Sequence, residues 1–186
     1  MKKSSYLLLS VALLIAQPSE LVKASEIGLW YTGANPDYKP FSTDYGFGLT
    51  WEQSLTDTSS LSLLYNETDF NPSGPVVGRL IVKSWTELAY RHQLDGDFYI
   101  AGSYTSADTT GGTYDGLGIH VGHSIQWTKH LSSKIQVGHI DTKFSDYQLE
   151  GSLTYQLSDD IKVALKLRDF HEWDYTAYEA GFLYSF

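Results

Sequence analysis

The sequence contains no cysteine, which excludes disulfide bonds and a cysteine-linked lipid anchor. Basic residues are also few, because 13 Lys and Arg stand against 22 Asp and Glu and give a formal net charge of −9. Nucleic-acid binding requires a basic surface, so we expect no nucleic-acid partner. The sequence shows no metal-ligand spacing, phosphate loop or nucleotide motif, and we predict no cofactor and no metal site.

Long apolar runs are missing after the first residues. The basic start MKK is followed by the apolar stretch Tyr6–Ala16 and by the small-residue site VKA at 22–24. This order is typical of a cleaved signal peptide, which we predict over residues 1–24. We expect the mature domain to cover residues 25–186. None of its apolar segments approaches the roughly 20 residues that a membrane-spanning helix needs.

Aromatic residues and glycine are abundant instead, with 14 Tyr, 8 Phe, 5 Trp and 16 Gly. Apolar and polar residues alternate with a period of two over ten segments, which is the pattern of β-strands with one apolar face. In the segment Tyr178–Phe186, for example, Phe182, Tyr184 and Phe186 share one face and Glu179 lies on the other. Turn residues separate the segments, so neighbouring strands are expected to pair as antiparallel hairpins.

The two faces of these segments predict a membrane barrel. Aromatic residues bracket an aliphatic band on the apolar faces, as expected for strands that cross a bilayer between two wet interfaces. Closure removes the strand edges that lipid cannot satisfy. We therefore predict an all-β fold, an up-and-down antiparallel transmembrane β-barrel of ten strands. If the weak hairpin around 135–157 does not form, eight strands remain.

The polar faces carry charges of both signs, which suits a paired interior. Inward aromatic residues such as Trp30, Trp85 and Tyr99 are expected to fill a narrow lumen, with inward glycines leaving room for them. The predicted interior charges are Glu52, Lys83, Glu87, Arg91, Glu150, Lys162, Lys166, Arg168 and Glu179.

The end of the chain carries a spaced motif of a polar residue, glycine, an apolar residue and a final aromatic: Glu179, Gly181, Tyr184 and Phe186. This motif resembles the assembly signal of bacterial outer-membrane β-barrel proteins, and the mature chain resembles that class over its whole length. The resemblance implies a place in the outer membrane of a Gram-negative envelope. It also implies contact with membrane lipid and lipopolysaccharide, and insertion by the barrel assembly machinery, which would read Phe186. We expect a monomer.

Some small barrels of this class are enzymes, and two pairs of residues are similar to the Asp/His arrangement of the omptin proteases. His139 and Asp141 lie two residues apart near the loop end of a predicted strand, as do Asp169 and His171. Continuing the strand register places all four on the lipid-facing side, away from the barrel mouth. We treat them as candidates at the rim and predict that the protein is not an enzyme.

The remaining candidate for a catalytic base and nucleophile is a His/Ser pair, and its spacing along the strand excludes it. His120 and Ser124 share a strand face but lie four residues apart, roughly 13 Å at the rise of a strand, which is too far for a hydrogen bond. We therefore expect a non-catalytic structural or surface-interaction role. The alternatives are a narrow, porin-like channel for ions or small solutes and an enzyme that acts on lipid A or peptides.

Overall fold

The computed structural model describes residues 25–36, 44–68, 82–142, 145–171 and 175–186. The predicted signal peptide lies outside them. Within these ranges no helix is long and apolar enough to cross a membrane. The described residues form ten strands: β1 (Ser25–Pro36), β2 (Asp44–Ser54), β3 (Ser59–Thr68), β4 (Val82–Gln93), β5 (Phe98–Thr109), β6 (Gly112–Gln126), β7 (Leu131–Asp141), β8 (Ser145–Gln156), β9 (Ile161–Phe170) and β10 (Tyr175–Ser185).

Each strand pairs antiparallel with the next, and β1 pairs with β10, so the sheet closes into a barrel. This confirms the predicted ten-stranded up-and-down topology. The eight-stranded alternative is wrong, because β7 and β8 pair along their whole length, from Leu131 opposite Tyr155 to Asp141 opposite Ser145. Backbone hydrogen bonds between Ser25 and Phe186, of 3.0 and 2.9 Å, complete the closing seam.

Two connections differ from the sequence interpretation. The polar stretch LSSK at 131–134 predicts a turn, but these residues begin β7, and the turn lies at 127–130, where the Trp127 amide donates to the Leu131 carbonyl. The Gly- and Asp-bearing segment 107–116 predicts a long loop. Instead β5 and β6 continue through most of it to a tight turn, which Gly112 makes possible with a φ of 123°.

Burial alternates along the strands as a closed barrel requires. In β5 the side chains of Tyr99, Ala101 and Ser103 are buried in the lumen, whereas Ile100 and Tyr104 are exposed on the outer surface. Exposed aromatic residues mark both ends of that outer surface: Tyr90, Trp127, Tyr155 and Phe186 near the short turns, and Tyr31, Tyr104, Tyr147 and Tyr178 towards the opposite end.

The start of β4 departs from the predicted alternation. A register shift between Val82 and Ser84 marks a β-bulge, which reverses the side on which the flanking residues lie. Val82 is therefore buried in the barrel and Lys83 is exposed. The prediction that Lys83 belongs to the interior charges fails for this reason.

Glycines in the wall make room for aromatic residues in the lumen. A Cβ on Gly181 would lie 2.6 Å from a ring carbon of Trp30, and one on Gly48 would lie 3.3 Å from the Cβ of Trp30. A Cβ on Gly122 would overlap the ring of Tyr99. Trp30 and Tyr99 are 8% and 0% exposed, so these aromatic side chains occupy space that a narrow barrel would otherwise leave open.

Candidate functional site: the barrel lumen

The lumen has two different ends. The turn end is the one at which residues 55–58, 94–97, 127–130 and 157–160 connect the strands, and the loop end is the opposite one. A cluster near the loop end, called here the apolar layer, fills the barrel: Ala34, Val82, Trp85, Ala107, Ile140, Phe170 and Ala177, each at most 4% exposed.

The rings of Trp85 and Phe170 form the centre of the apolar layer, with their centroids 4.6 Å apart and their planes at 51°. Their two strands, β4 and β9, are not neighbours in the sheet, so this contact bridges the lumen. Leu64 packs against the layer from β3. The layer therefore places buried, mostly apolar side chains across the lumen near its loop end.

Below the apolar layer, a buried ion pair joins β9 to β10. The ammonium of Lys166 lies 2.5 Å from Glu179, and the two side chains are 6% and 1% exposed. Asn66 donates a hydrogen bond of 2.8 Å to the same carboxylate and accepts one of 2.9 Å from Thr32. Lys166 also lies 4.2 Å from the centre of a Trp30 ring. This network ties both sides of the closing seam to β3.

A second ion pair joins β8 to β9 at a similar depth. Arg168 donates to Oε2 of Glu150 from Nε at 3.1 Å and from Nη2 at 2.9 Å. Charge-assisted bonds of this kind fix both orientation and position. The other oxygen of Glu150 lies 3.9 Å from Lys134, which has no closer acidic partner in the described part of the chain.

Two more ion pairs lie at the turn end. Arg91 contacts Glu52 at 3.1 Å, and Lys162 contacts Glu26 at 2.6 Å. These four side chains are 23–37% exposed, whereas those of the deeper pairs are at most 10% exposed. This difference in side-chain exposure shows that solvent enters the lumen from the turn end. A cavity of about 200 Å³ extends inwards from there.

The structure brings most of the predicted interior charges together, as the pairs of Glu52 with Arg91, Glu150 with Arg168, and Lys166 with Glu179. The predicted set does not include Glu26, the partner of Lys162, which lies two residues after the predicted cleavage site. It also does not include Lys134, which faces the lumen from β7. Glu87 lines the cavity and accepts a long bond of 3.4 Å from the Trp85 indole.

A hydrogen-bonded chain of four side chains was also missed. Ser103 Oγ lies 2.8 Å from Nε2 of His120, whose Nδ1 lies 3.3 Å from the Gln136 amide nitrogen, and Tyr99 donates to Gln136 Oε1 at 2.9 Å. Gly138 leaves the space that the imidazole fills. Ser103 and His120 lie on different strands, so only the pairing register of β5 with β6 could have revealed the contact.

The partners of His120 are not those of a catalytic histidine. Nδ1 faces the side-chain amide of Gln136, and Nε2 faces the hydroxyl of Ser103. A serine nucleophile needs a carboxylate at Nδ1, which orients the ring so that Nε2 accepts the hydroxyl proton. The geometry therefore favours a structural role for this pair.

The rim candidates lie apart from one another. His139 is on β7 with its ring 4.9 Å from that of Tyr147, and Asp169 is on β9, where it accepts a 2.7 Å bond from Thr176. Strand β8 separates the two. Asp141 and His171 are exposed, and Asp141 accepts a 3.3 Å bond from Ser145. No cluster of three or more metal-ligating side chains occurs among the described residues.

The four residues of the terminal motif divide between the two surfaces. Glu179 is buried in the lumen, and Gly181 lies against Trp30. Tyr184 and Phe186 are exposed on the outer surface with their rings stacked, 6.0 Å between centroids. The motif therefore supplies one partner of a buried ion pair and two side chains of an aromatic rim.

The chain matches no protein-family model and no curated protein by sequence. It is similar in structure to the KdgM porin, solved alone and in complex with disordered oligogalacturonate, with 12% identity, a TM-score of 0.50, and coverage of 86% of this chain and 99% of that chain in both cases. An outer-membrane channel from Pseudomonas putida F1 is 9% identical, with a TM-score of 0.48 over 92% of this chain and all of that one.

Similarity at this level of identity concerns the fold. The closed antiparallel barrel, the aromatic rims and the paired interior charges agree with it. The similarity does not single out one family. The chain has the fold of the bacterial outer-membrane β-barrel proteins.

Proposed function

We propose that this protein is a non-catalytic outer-membrane barrel that does not conduct solutes in the conformation described, and whose role is structural or lies in surface contact. The apolar layer is the observation that carries the proposal. It crosses the lumen at the loop end with seven buried side chains and a direct Trp85–Phe170 contact. Hydrophobic constrictions of this kind block ions by excluding water.

The proposed absence of catalysis is supported by the geometry of the candidate residues. In the pair of Ser103 and His120, Nδ1 of the histidine faces Gln136 and not a carboxylate, and His139 and Asp169 are separated by a strand. Comparing lipopolysaccharide acyl patterns and peptide cleavage with and without the purified protein tests this part. A change in either pattern that depends on the protein would overturn it.

The proposed partners follow from the outer surface. Exposed aliphatic residues between two aromatic rims fit a bilayer with lipopolysaccharide in one leaflet. Insertion by the assembly machinery is proposed from the terminal motif, whose Phe186 lies on the outer surface. Membrane fractionation of the expressed protein tests the location.

Planar-bilayer recording tests the closed state. The wild-type protein should give no stepwise conductance, whereas a Trp85→Ala/Phe170→Ala variant should conduct because its constriction has been removed. Trp127→Ala, which removes an indole from the outer rim instead, should remain silent. Conductance of the wild type would overturn the proposal, and a silent double variant would show that other side chains close the lumen.

A narrow channel is the second candidate, and the water-accessible lower lumen favours it. The cavity reaches Arg168, and the buried Gln148 side chain beside Phe170 has no hydrogen-bond partner among the described residues. Buried polar groups of this kind usually bind water. Water would then reach the lower side of the apolar layer, so opening that layer alone would create a path.

A further inference from the structure

Charges of both signs line the cavity at the turn end of the lumen, and one base there lacks an acid of its own. The lining charges are Glu26, Glu52, Glu87, Glu150, Arg91, Lys134, Lys166 and Arg168. Lys166 binds Glu179, and Arg168 binds Glu150. Arg91 and Lys162 each have an acid within 3.1 Å. The remaining base, Lys134, shares Glu150 at 3.9 Å with Arg168, which already binds that carboxylate through two hydrogen bonds.

Lys134 therefore lacks a hydrogen-bonded acidic partner among the described residues. Its contact with Glu150 is longer than a hydrogen bond, and no other acceptor contacts its ammonium within the described residues. Its other close neighbour is the ring of Tyr99, 5.2 Å away, and Arg91 lies 4.8 Å from the same ring. Two cations thus converge on one aromatic ring in a site that is only partly exposed to water.

Hydroxyl groups flank Lys134 on both sides. The register places Ser124 of β6 and Ser152 of β8 directly opposite it, and all three residues face the lumen. Ser152 and Thr154 line the same cavity as Lys134. The hydroxyls of Ser152 and Thr154 have no hydrogen-bond partner among the described residues, so both are available as donors.

We propose that this corner of the lumen binds a small oxyanion, with Lys134 as the cationic anchor and Ser152 and Thr154 as hydroxyl donors. Phosphate and carboxylate groups share the chemistry that the site recognises, which is a compact negative charge with several acceptor oxygens. The cavity of about 200 Å³ has room for such a group. Since a water occupies ~30 Å³, several waters would remain beside the anion.

An anion at this position would give Lys134 a counter-ion that it does not share with Arg168. It would lie on the side of Lys134 that faces open water, whereas Glu150 and Arg168 hold the deeper side. The site is independent of the apolar layer, so it would be present whether or not the barrel conducts. Its access is from the turn end, where the ion pairs are most exposed.

Calorimetric titration of the folded protein in detergent tests the proposal, with inorganic phosphate and acetate as probes and sodium chloride at matched ionic strength as the background. Saturable binding of phosphate is expected, and acetate shows whether a carboxylate group suffices. Lys134→Met should weaken binding at least tenfold. Lys162→Met removes the same charge from the same end but should change binding by less than about threefold, because Lys162 already has Glu26.

Three outcomes would overturn the proposal: no saturable binding of either probe above the chloride background, unchanged binding by Lys134→Met, or equal losses in the two lysine variants. Ser152→Ala leaves every charge in place and should weaken binding severalfold. It provides the same test if Lys134→Met does not fold. Unchanged affinity in that variant would overturn the proposed site.

Discussion

Lys166 and Glu179 form an ion pair of 2.5 Å inside the barrel, on the two strands that precede the closing seam. The two side chains are only 6% and 1% exposed, so each charge depends largely on the other and on Asn66 and Trp30 for its stabilisation. The same Glu179 belongs to the terminal motif that resembles an assembly signal. One residue therefore belongs both to this motif and to the interior packing.

Neutralising one member of this pair should destabilise the barrel. Glu179→Gln leaves the Lys166 charge buried without a counter-ion, and we expect a loss of ~3–5 kcal/mol. Urea unfolding measures this loss of stability. The protein is refolded in detergent, so assembly in the cell does not affect the measured free energy of unfolding. Adding Lys166→Met should recover part of the loss, whereas Lys129→Met on the exposed turn should change little. Additive losses from the two lumen substitutions would contradict the pairing.

The glycine beneath Tyr99 should not tolerate a methyl group. A Cβ on Gly122 would overlap the phenol ring, so Gly122→Ala should cost ~1–3 kcal/mol through overpacking. Gly102→Ala on the neighbouring strand is the matched control, because a Cβ there meets nothing within 4 Å. The two variants should differ in their thermal unfolding. Unfolding is monitored by the difference in gel mobility between heated and unheated samples. Combining Gly122→Ala with Tyr99→Leu should restore part of the stability.

The outer surface should reject a charge where lipid covers it. Leu165 lies within β9 and is 60% exposed, and Leu165→Arg should cost ~2–4 kcal/mol in a bilayer. Leu157 is similarly exposed but lies in a turn, so Leu157→Arg should cost ~0–1 kcal/mol. Reversible unfolding in lipid vesicles measures both. Equal costs would mean that the Leu165 face does not contact the hydrocarbon region.

Phe186 should matter more for insertion than for the stability of the inserted barrel. It lies on the outer surface at the turn end, and its hydrogen bonds to Ser25 use backbone atoms, which Phe186→Ala retains. We expect a severalfold slower appearance of heat-modifiable protein during assembly with membrane extracts, but a stability within ~1 kcal/mol of wild type. Trp127→Ala at the same rim is the comparison. Similar assembly rates for both variants would show that Phe186 is not recognised specifically.

The sequence predicted the architecture because the barrel repeats one physical rule at every strand. Lumen and lipid lie on opposite sides of the wall, so a period of two was enough to place Lys166, Arg168 and Glu179 inside. Local features broke the rule in two places. The bulge at Val82 turned Lys83 outwards, and the serines before Lys134 looked like a turn although the turn lies four residues earlier.

Contacts between strands needed information that a single sequence does not carry. Ser103 and His120 meet because β5 and β6 pair in one register among several that the alternation allows. The apolar layer has the same origin, since Trp85 and Phe170 come from strands that are not neighbours. Tyr99 was expected to fill the lumen, but its position between Arg91 and Lys134 depends on the pairing of three further strands.

The pairing of β1 with β10 has a consequence for the order of folding. Ile27 lies opposite Tyr184, so the bonds that close the cylinder join the most distant parts of the described chain. Contacts of such long sequence separation form late, because their loop-closure entropy must first be overcome. Until then both outer strands carry unpaired amides and carbonyls, which hydrocarbon does not tolerate. We therefore expect the last strand to dock and the wall to enter the bilayer in one cooperative step.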